Sequence, residues 1–304
     1  MSRALSAPSA GATPDAEAFA VPVSTWFREH GRDLPWRAAG FTPWASLVSE
    51  VMLQQTPVAR VLEPLREWLE KWPDAASLAQ ASVGDVVRAW GRLGYPRRAL
   101  RLRECAIAIV ERHGGVVPDD VDELLALPGV GDYTARAIAT FAYKQRHPVV
   151  DTNVRRVIAR AVHGRADAAP PSTRRDLADA AALLPESADA AAEFSAAIME
   201  LGALICTARS PKCDECPVAK QCAWRAAGYP SYDGPRRMPQ AKYEGSDRYV
   251  RGVVLDALRA SDHTVTRTEL DAAWTDGEQL TRAIDSLLAD GLIVTVGKTF
   301  ALPR

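Results

Sequence analysis

Four of the five cysteines crowd into one short stretch: Cys206, Cys213, Cys216 and Cys222, spaced C-x6-C-x2-C-x5-C. Thiolate is the soft ligand that zinc and iron–sulfur clusters select, and four of them in one loop can close on a single centre. Composition alone leaves zinc and a 4Fe-4S cluster both open. A long chain without a secretory segment makes a metal site the better reading than a disulfide framework. Cys105, in LRECAIAIV, reads as a small buried apolar residue.

Two carboxylates follow. Asp151 ends an apolar run in HPVVDTNVRRVIARAV (147–162) and opens an amphipathic helix. Asp is a favoured N-cap, and the positive end of the helix favours its anion. Glu50 lies in TPWASLVSEVMLQQTPVARV (42–61), where Trp44, Leu47, Val48 and Val51 define one helix face. An acid in apolar surroundings holds its proton to higher pH and can act as a general acid. Pattern alone also allows a plain cap at 151 and a solvated acid at 50. Between them, LPGVGDYTARAI (127–138) has the form helix end, Gly-x-Gly turn, new helix. Gly129, Val130 and Gly131 can present backbone N–H groups to an anion, although the same string serves as an ordinary interhelical turn.

These residues need a scaffold, and the pattern makes it helical. Amphipathic segments alternate with Pro or Gly stops at 20–31, 43–54, 58–72, 75–80, 83–93, 97–113, 120–126, 131–144, 153–163, 172–184 and 190–206. Residues 1–19, rich in Ala, Ser and Pro, read as a disordered leader rather than a signal peptide. A Gly/Pro-rich linker spans 228–247, and 248–304 reads as helices at 248–260, 267–274 and 277–290 followed by a hairpin turning at Gly297 and Lys298. Three helices and a β-ribbon suggest a small winged-helix-like module or a helical packing appendage.

The chain has 304 residues, 47% hydrophobic and 25% charged, which fits about two globular domains. No window reaches the ~20 apolar residues of a transmembrane helix. The formal net charge is −1, so nucleic-acid binding would rest on local patches. Arg88, Arg92, Arg97, Arg98, Arg101 and Arg103 form the strongest basic run; some of them are expected to track phosphates and the rest to lie on a solvated face.

The cysteine spacing resembles the iron–sulfur loop of the endonuclease III and adenine glycosylase superfamily. LPGVG resembles its helix-hairpin-helix element, and the strings SEVMLQQT, LPWR (34–37), LGYPRRALRL (93–102) and DTNV closely match the adenine DNA glycosylase (MutY) family. The resemblance covers about residues 24–225. It implies an all-α, two-lobed fold: a glycosylase domain at 20–227, with a six-helix lobe at about 43–150 and a cluster lobe joining 20–42 to 151–227. It implies one 4Fe-4S cluster on the four cysteines, which shapes a DNA-facing loop and takes no part in bond cleavage. Arg209 and Lys212 would then meet phosphates.

The implied activity is base excision repair by an N-glycosylase. Adenine opposite 8-oxoguanine or guanine would be flipped from the duplex and released, leaving an abasic site. Glu50 would be the catalytic acid and Asp151 the carboxylate that steadies the sugar cation. Endonuclease III-type enzymes carry a Schiff-base Lys where this chain has Tyr133, so strand cleavage is not expected and Tyr133 would orient the reacting groups. Arg37 and Glu200 align with adenine contacts. The family's wedge residues, which fill the vacated space, map to Gln55, with Leu93 and Tyr95 on the other side. Recognition of the opposite base would rest on residues such as Gln54, Gln55 and Thr56, or on the C-terminal tail. The expected partner is double-stranded DNA, for a monomeric cytoplasmic protein with no membrane contact. The resemblance fails at the C-terminus, where many relatives carry a β-rich 8-oxoguanine reader and this chain has only 248–304. A thymine or pyrimidine mismatch glycosylase and a non-catalytic cluster-bearing DNA-binding protein are the alternatives.

Overall fold

The computed structural model describes residues 15–235 and 242–304. Helices α1–α8 are Ala16–His30, Pro43–Leu53, Val58–Lys71, Ala75–Ala79, Val83–Trp90, Arg97–His113, Val121–Leu125 and Asp132–Phe141. Helices α9–α15 are Thr152–Ala161, Thr173–Ala181, Ala188–Leu204, Ala223–Ala226, Asp247–Ala260, Arg267–Ala273 and Gly277–Ala289. Three short strands, β1 (Val265–Thr266), β2 (Val294–Val296) and β3 (Thr299–Ala301), complete the described residues.

Local signals explain the helix starts. Thr42, Ser82, Asp120, Asp151, Ser187, Ser246, Thr266 and Asp276 each accept a first-turn backbone N–H with their side chain. The expected leader is too long at its end. Asp15 caps α1, and Phe19 and Ala20 are buried because the helix has a core to join. Residues 1–14 lie outside the described residues, as do 236–241 of the expected linker.

The chain divides into two compact units, whose described parts are 15–34 with 135–235, and 35–134 with 242–304. The divisions at 34/35 and 134/135 replace the expected 43 and 150, and the second falls inside α8. In the first unit α1, α9 and α11 enclose a core containing Phe19, Val23, Trp26, Val157, Ile158, Phe194, Ile198 and Leu201. Cys206, Cys216 and Cys222 pack against it.

In the second unit Trp68 sits edge-on to Trp72 and Trp90, at centroid distances of 4.5 and 5.5 Å. The C-terminal segment belongs to this unit rather than standing apart. Val87 of α5 lies in one core with Val250, Val254, Leu258, Leu280, Ile284 and Leu287, and Val83 and Leu100 pack against it. The segment has the expected three helices and hairpin, with Gly297 at φ +61° in its two-residue turn. Unforeseen β1 adds a third antiparallel strand in the order β1-β3-β2, pairing Val265 with Phe300. Two residues are too few to show a period.

Candidate functional site

Glu50 is mounted on a helix that is nearly all interior. Eight of the eleven residues of α2 are buried, and Trp44 donates its indole N–H to the Trp72 carbonyl at 3.0 Å. Glu50 itself is half-buried, so a rigid, dry backbone presents this acid with part of its surface open.

Past α2 the chain turns through Gln55, whose φ is +56°, and a second turn brings Gly91, Gly94 and Tyr95 to φ +51°, +80° and +47°. One guanidinium joins the two turns. Arg98 donates Nη1 to the carbonyls of Val51, Met52 and Gln54 at 2.7, 3.0 and 2.6 Å. Its Nη2 donates to Thr56 Oγ1 at 3.0 Å and to the carbonyls of Leu93 and Gly94 at 3.3 and 3.1 Å. Burial pushes its pKa down to about 10. Gln55 and Tyr95 are left exposed on the two turns, Tyr95 with 42% of its surface.

This corrects two expectations. Leu93, 4% exposed, is core, and Thr56, 6% exposed, is a buried brace whose hydroxyl bonds the Leu93 carbonyl. Neither has surface to offer a base, which leaves Gln55 and Tyr95, with half-buried Gln54 at the edge. The arginines of the basic run also have partners within the chain. Arg98 is the staple, Arg92 and Arg97 pair with Asp256 and Asp290, and Arg101 pairs with Glu104. Arg103 donates to the Ala81 carbonyl and Arg88 to that of Arg259. Periodicity could not show this, because an arginine fork reaches partners far away in sequence.

The hairpin is built as expected. Val130 is buried and its N–H bonds the Leu127 carbonyl at 3.2 Å, while Gly129, at φ +79°, and Gly131 are exposed. Gly131 has ordinary φ, and a Cβ there would meet nothing within 4 Å. Nothing within the described chain requires glycine at 131, so the open approach suits a ligand that comes close to the backbone. Tyr133 is half-buried in the first turn of α8.

Asp151 caps α9, with Oδ1 accepting from the Val154 N–H and Oδ2 from the Asn153 amide, both at 2.7 Å. Arg156 holds Asn153 Oδ1 at 2.7 Å and reaches the carbonyls of Gly202 and Cys206 at 2.6 and 2.7 Å. The carboxylate is thus tied to the C-terminal end of α11 and the first cysteine. Burial raises the Asp151 pKa, and its hydrogen bonds and the Arg156 charge pull it down without cancelling that rise. The cap bonds at the helix end favour the anion as the sequence suggests, but desolvation opposes them and is the larger influence. Asn153 and Arg156 escaped the sequence reading, although the Asx two residues after a capping Asp was a usable signal.

Gly202 makes this approach possible. A Cβ there would stand 2.7 Å from Asn153 Cβ. Gly202→Ala is expected to cost about 1–3 kcal/mol by overpacking and to displace the Asn153–Asp151 pair. Chemical denaturation and base-release rates measured together check both effects.

Glu200, expected as a base contact, is 2% exposed and paired with Arg32. Arg32 grips it in a fork, Nε to Oε1 at 2.7 Å and Nη2 to Oε2 at 2.8 Å, and adds its backbone N–H at 3.0 Å. Arg32 was missed because its partner lies 168 residues away. Arg37 closes a 3-10 turn, Pro35–Arg37, at the start of the second unit.

The four cysteines are half-buried around two 3-10 turns, and burial, with a smaller like-charge contribution from the neighbouring cysteines, raises the pKa of Cys216 and Cys222. Burial is the larger cause and pushes Cys216 up to about 11. Buried Arg160 places Nη1 3.4 Å from Cys206 Sγ. Among the described residues no three His, Cys, Asp or Glu side chains gather tightly enough for a single metal ion. Four thiolates against an apolar core with an arginine beside them fit an iron–sulfur cluster, which spreads its ligands over several irons. Arg209 and Lys212 are exposed between the first two ligands, with Lys212 Nζ 3.7 Å from Glu215.

Residues 48–182 match the HhH-GPD superfamily of base excision DNA repair proteins, and 206–222 match the iron–sulfur binding domain of endonuclease III. An adenine DNA glycosylase of Mycobacterium tuberculosis is 61% identical over 280 residues, spanning 91% of each chain. The chain belongs to the adenine DNA glycosylase family. Human adenine DNA glycosylase is 42% identical over 218 residues, 68% of this chain and 39% of its own length. The structure of a thermostable thymine-DNA glycosylase superposes with a TM-score of 0.65 at 27% identity, covering 70% of this chain and 97% of that one. The mycobacterial match leaves too few residues unaligned to omit the C-terminal module, so members of the adenine glycosylase family share at least part of it. No described helix is long and apolar enough to cross a membrane.

Proposed function

We propose that this family member is a monofunctional adenine DNA glycosylase. It hydrolyses the N-glycosidic bond of adenine mispaired with 8-oxoguanine or guanine and leaves an abasic site. The observation that carries the proposal is the setting of Asp151: a desolvated carboxylate, fixed at a helix N-terminus by Val154 and Asn153, suited to a positive charge that develops in front of it.

In this reading the adenine nucleotide leaves the stack, and Gln55 and Tyr95 fill the space it vacates. Glu50 gives its proton to adenine N7. The C1′–N9 bond breaks, its electron pair leaving with the base, and the sugar carries oxocarbenium character. Asp151 steadies that cation and bonds to it transiently at C1′. Glu50, now ionised, takes a proton from water, which attacks C1′ and restores Asp151. Tyr133 offers a hydroxyl where strand-cleaving relatives offer an amine, so no Schiff base forms and the backbone stays intact. Arg37 would contact the base directly, while Glu200 would act as the anchor of Arg32. Backbone N–H groups at 129–131, with Arg209 and Lys212, would hold phosphates.

Cys206, Cys213, Cys216 and Cys222 would hold a 4Fe-4S cluster, which orders the loop carrying Arg209 and Lys212 and supplies no step of the cleavage. The protein would work as a monomer on duplex DNA.

The test is single-turnover base release from duplexes with A opposite 8-oxoguanine, G or C, and T opposite G. Adenine release opposite 8-oxoguanine and G, with strands cut only after alkali, is the expected result. Thymine release from T:G without adenine release would move the chain to the thymine branch suggested by the 0.65 superposition. Binding without release would leave a non-catalytic DNA-binding protein.

A further inference from the structure

The catalytic scheme uses nothing from residues 247–304. Residues 248–304 hold seven Lys or Arg against eight Asp or Glu, so they have no positive surplus for a phosphate backbone. Two of their carboxylates are turned to arginines outside the segment. Asp256 of α13 receives Arg92 Nε at 3.0 Å and Nη2 at 2.9 Å, and Asp290, just past α15, lies 3.5 Å from Arg97 Nη1. Arg92 comes three residues before Tyr95 and Arg97 two residues after it.

We propose that the C-terminal module is a positioning element for the Tyr95 turn. Asp256 and Asp290, acting through Arg92 and Arg97, fix residues 91–96 in the conformation that presents the Tyr95 ring. The proposal rests on the reading of Tyr95 as the residue that enters the vacated space.

The turn needs such support. Three of its residues have positive φ, and Tyr95 at +47° has a Cβ that disfavours this region. Arg98 and the Trp90 indole N–H, 3.0 Å from the Gly94 carbonyl, hold it from within. From outside, Arg60 Nη2 and the Thr56 hydroxyl bond the Arg92 and Leu93 carbonyls, and the two ion pairs flank Tyr95 on either side in sequence. Each carboxylate of these pairs is itself held. Arg259 Nη1 lies 3.3 Å from Asp256 Oδ1, and Arg251 Nη2 lies 2.6 Å from Asp290 Oδ2. Docking of the module rests on other contacts. Leu302 joins the core that contains Val87, a Cβ on Gly84 would fall 2.2 Å from the Pro303 carbonyl, and Arg259 Nε bonds the Val87 carbonyl at 3.0 Å. The ion pairs can therefore be removed while the module stays in place. Arg92 is 83% exposed, so its pair works by direction more than by energy.

The experiment uses the full chain carrying Asp256→Asn with Asp290→Asn. Three quantities are read: the thermal midpoint, the duplex Kd, and the single-turnover rate of adenine release at saturating protein. The expected result is a midpoint within about 3 °C of the parent, a Kd within about twofold, and release slowed roughly five- to tenfold. Asp256→Glu with Asp290→Glu should recover most of the rate. In a Tyr95→Ala background the two Asn substitutions should slow release no further, because the residue they position is gone.

An unchanged rate overturns the proposal, as does equal slowing in the Tyr95→Ala background or slowing that tracks a fall in the midpoint. Tyr95→Ala releasing adenine at the parental rate would overturn the reading of Tyr95 itself, a separate result.

Discussion

Glu50→Gln is expected to slow adenine release by about 10³-fold, the middle of the range for loss of a positioned general acid, with duplex binding retained. Gln keeps the shape and polarity of the side chain and removes only the proton that the proposed scheme delivers to adenine N7. Eight buried residues of α2 hold the position, so the backbone should not respond. Single-turnover rates at saturating protein, with binding measured on the same duplex, separate chemistry from affinity. A rate within tenfold of the parent would remove Glu50 from the mechanism.

The pH profile tests the partner carboxylate. In the proposed scheme Asp151 works as an anion, so release should fall as pH drops through its pKa. Burial raises that pKa, and the acidic limb should therefore lie above the ~3.9 of an ordinary Asp. The residual activity of Glu50→Gln should keep this limb. Its appearance at an ordinary carboxylate pH in both proteins would contradict the desolvated setting assigned to Asp151.

Arg98→Met should be the most destabilising single change at the site, by about 3–5 kcal/mol, as when a buried charged donor is removed and its partners stay behind. Five carbonyls and the Thr56 hydroxyl each lose one donor, and among the described residues only the carbonyls of Gln54, Leu93 and Gly94 keep another side-chain donor, from Thr56 or Trp90. Met fills much of the volume, so the loss reports the polar contacts rather than a cavity. Arg98→Lys should recover only part, since a single ammonium with three donors cannot bridge both turns. Denaturant unfolding gives the energy. Base release below the melting range should also fall, because Gln55 and Tyr95 would no longer be held in one arrangement. An Arg98→Met protein as stable as the parent would show that the turns are held by other means.

The sequence by itself determined what depends on near neighbours. Helix positions follow from 3.6-residue periodicity and short-range caps, and the iron–sulfur loop from four cysteines within 17 residues. The hairpin glycines, Asp151 at the head of α9 and Glu50 on an apolar helix were legible for the same reason. Tertiary structure decided everything that depended on reach and burial. The arginines are the clearest case: Arg32 meets Glu200 168 residues away, and Arg92 meets Asp256 164 residues away. A long fork can satisfy itself on any surface within reach, so a run of arginines spells neither phosphate contact nor staple until the chain has folded. Leu93 and Thr56 show the same with burial, lying two residues from exposed Tyr95 and one from exposed Gln55 yet inside. The raised pKa of Asp151 has the same origin, since the cap is local but the desolvation comes from the folded chain around it.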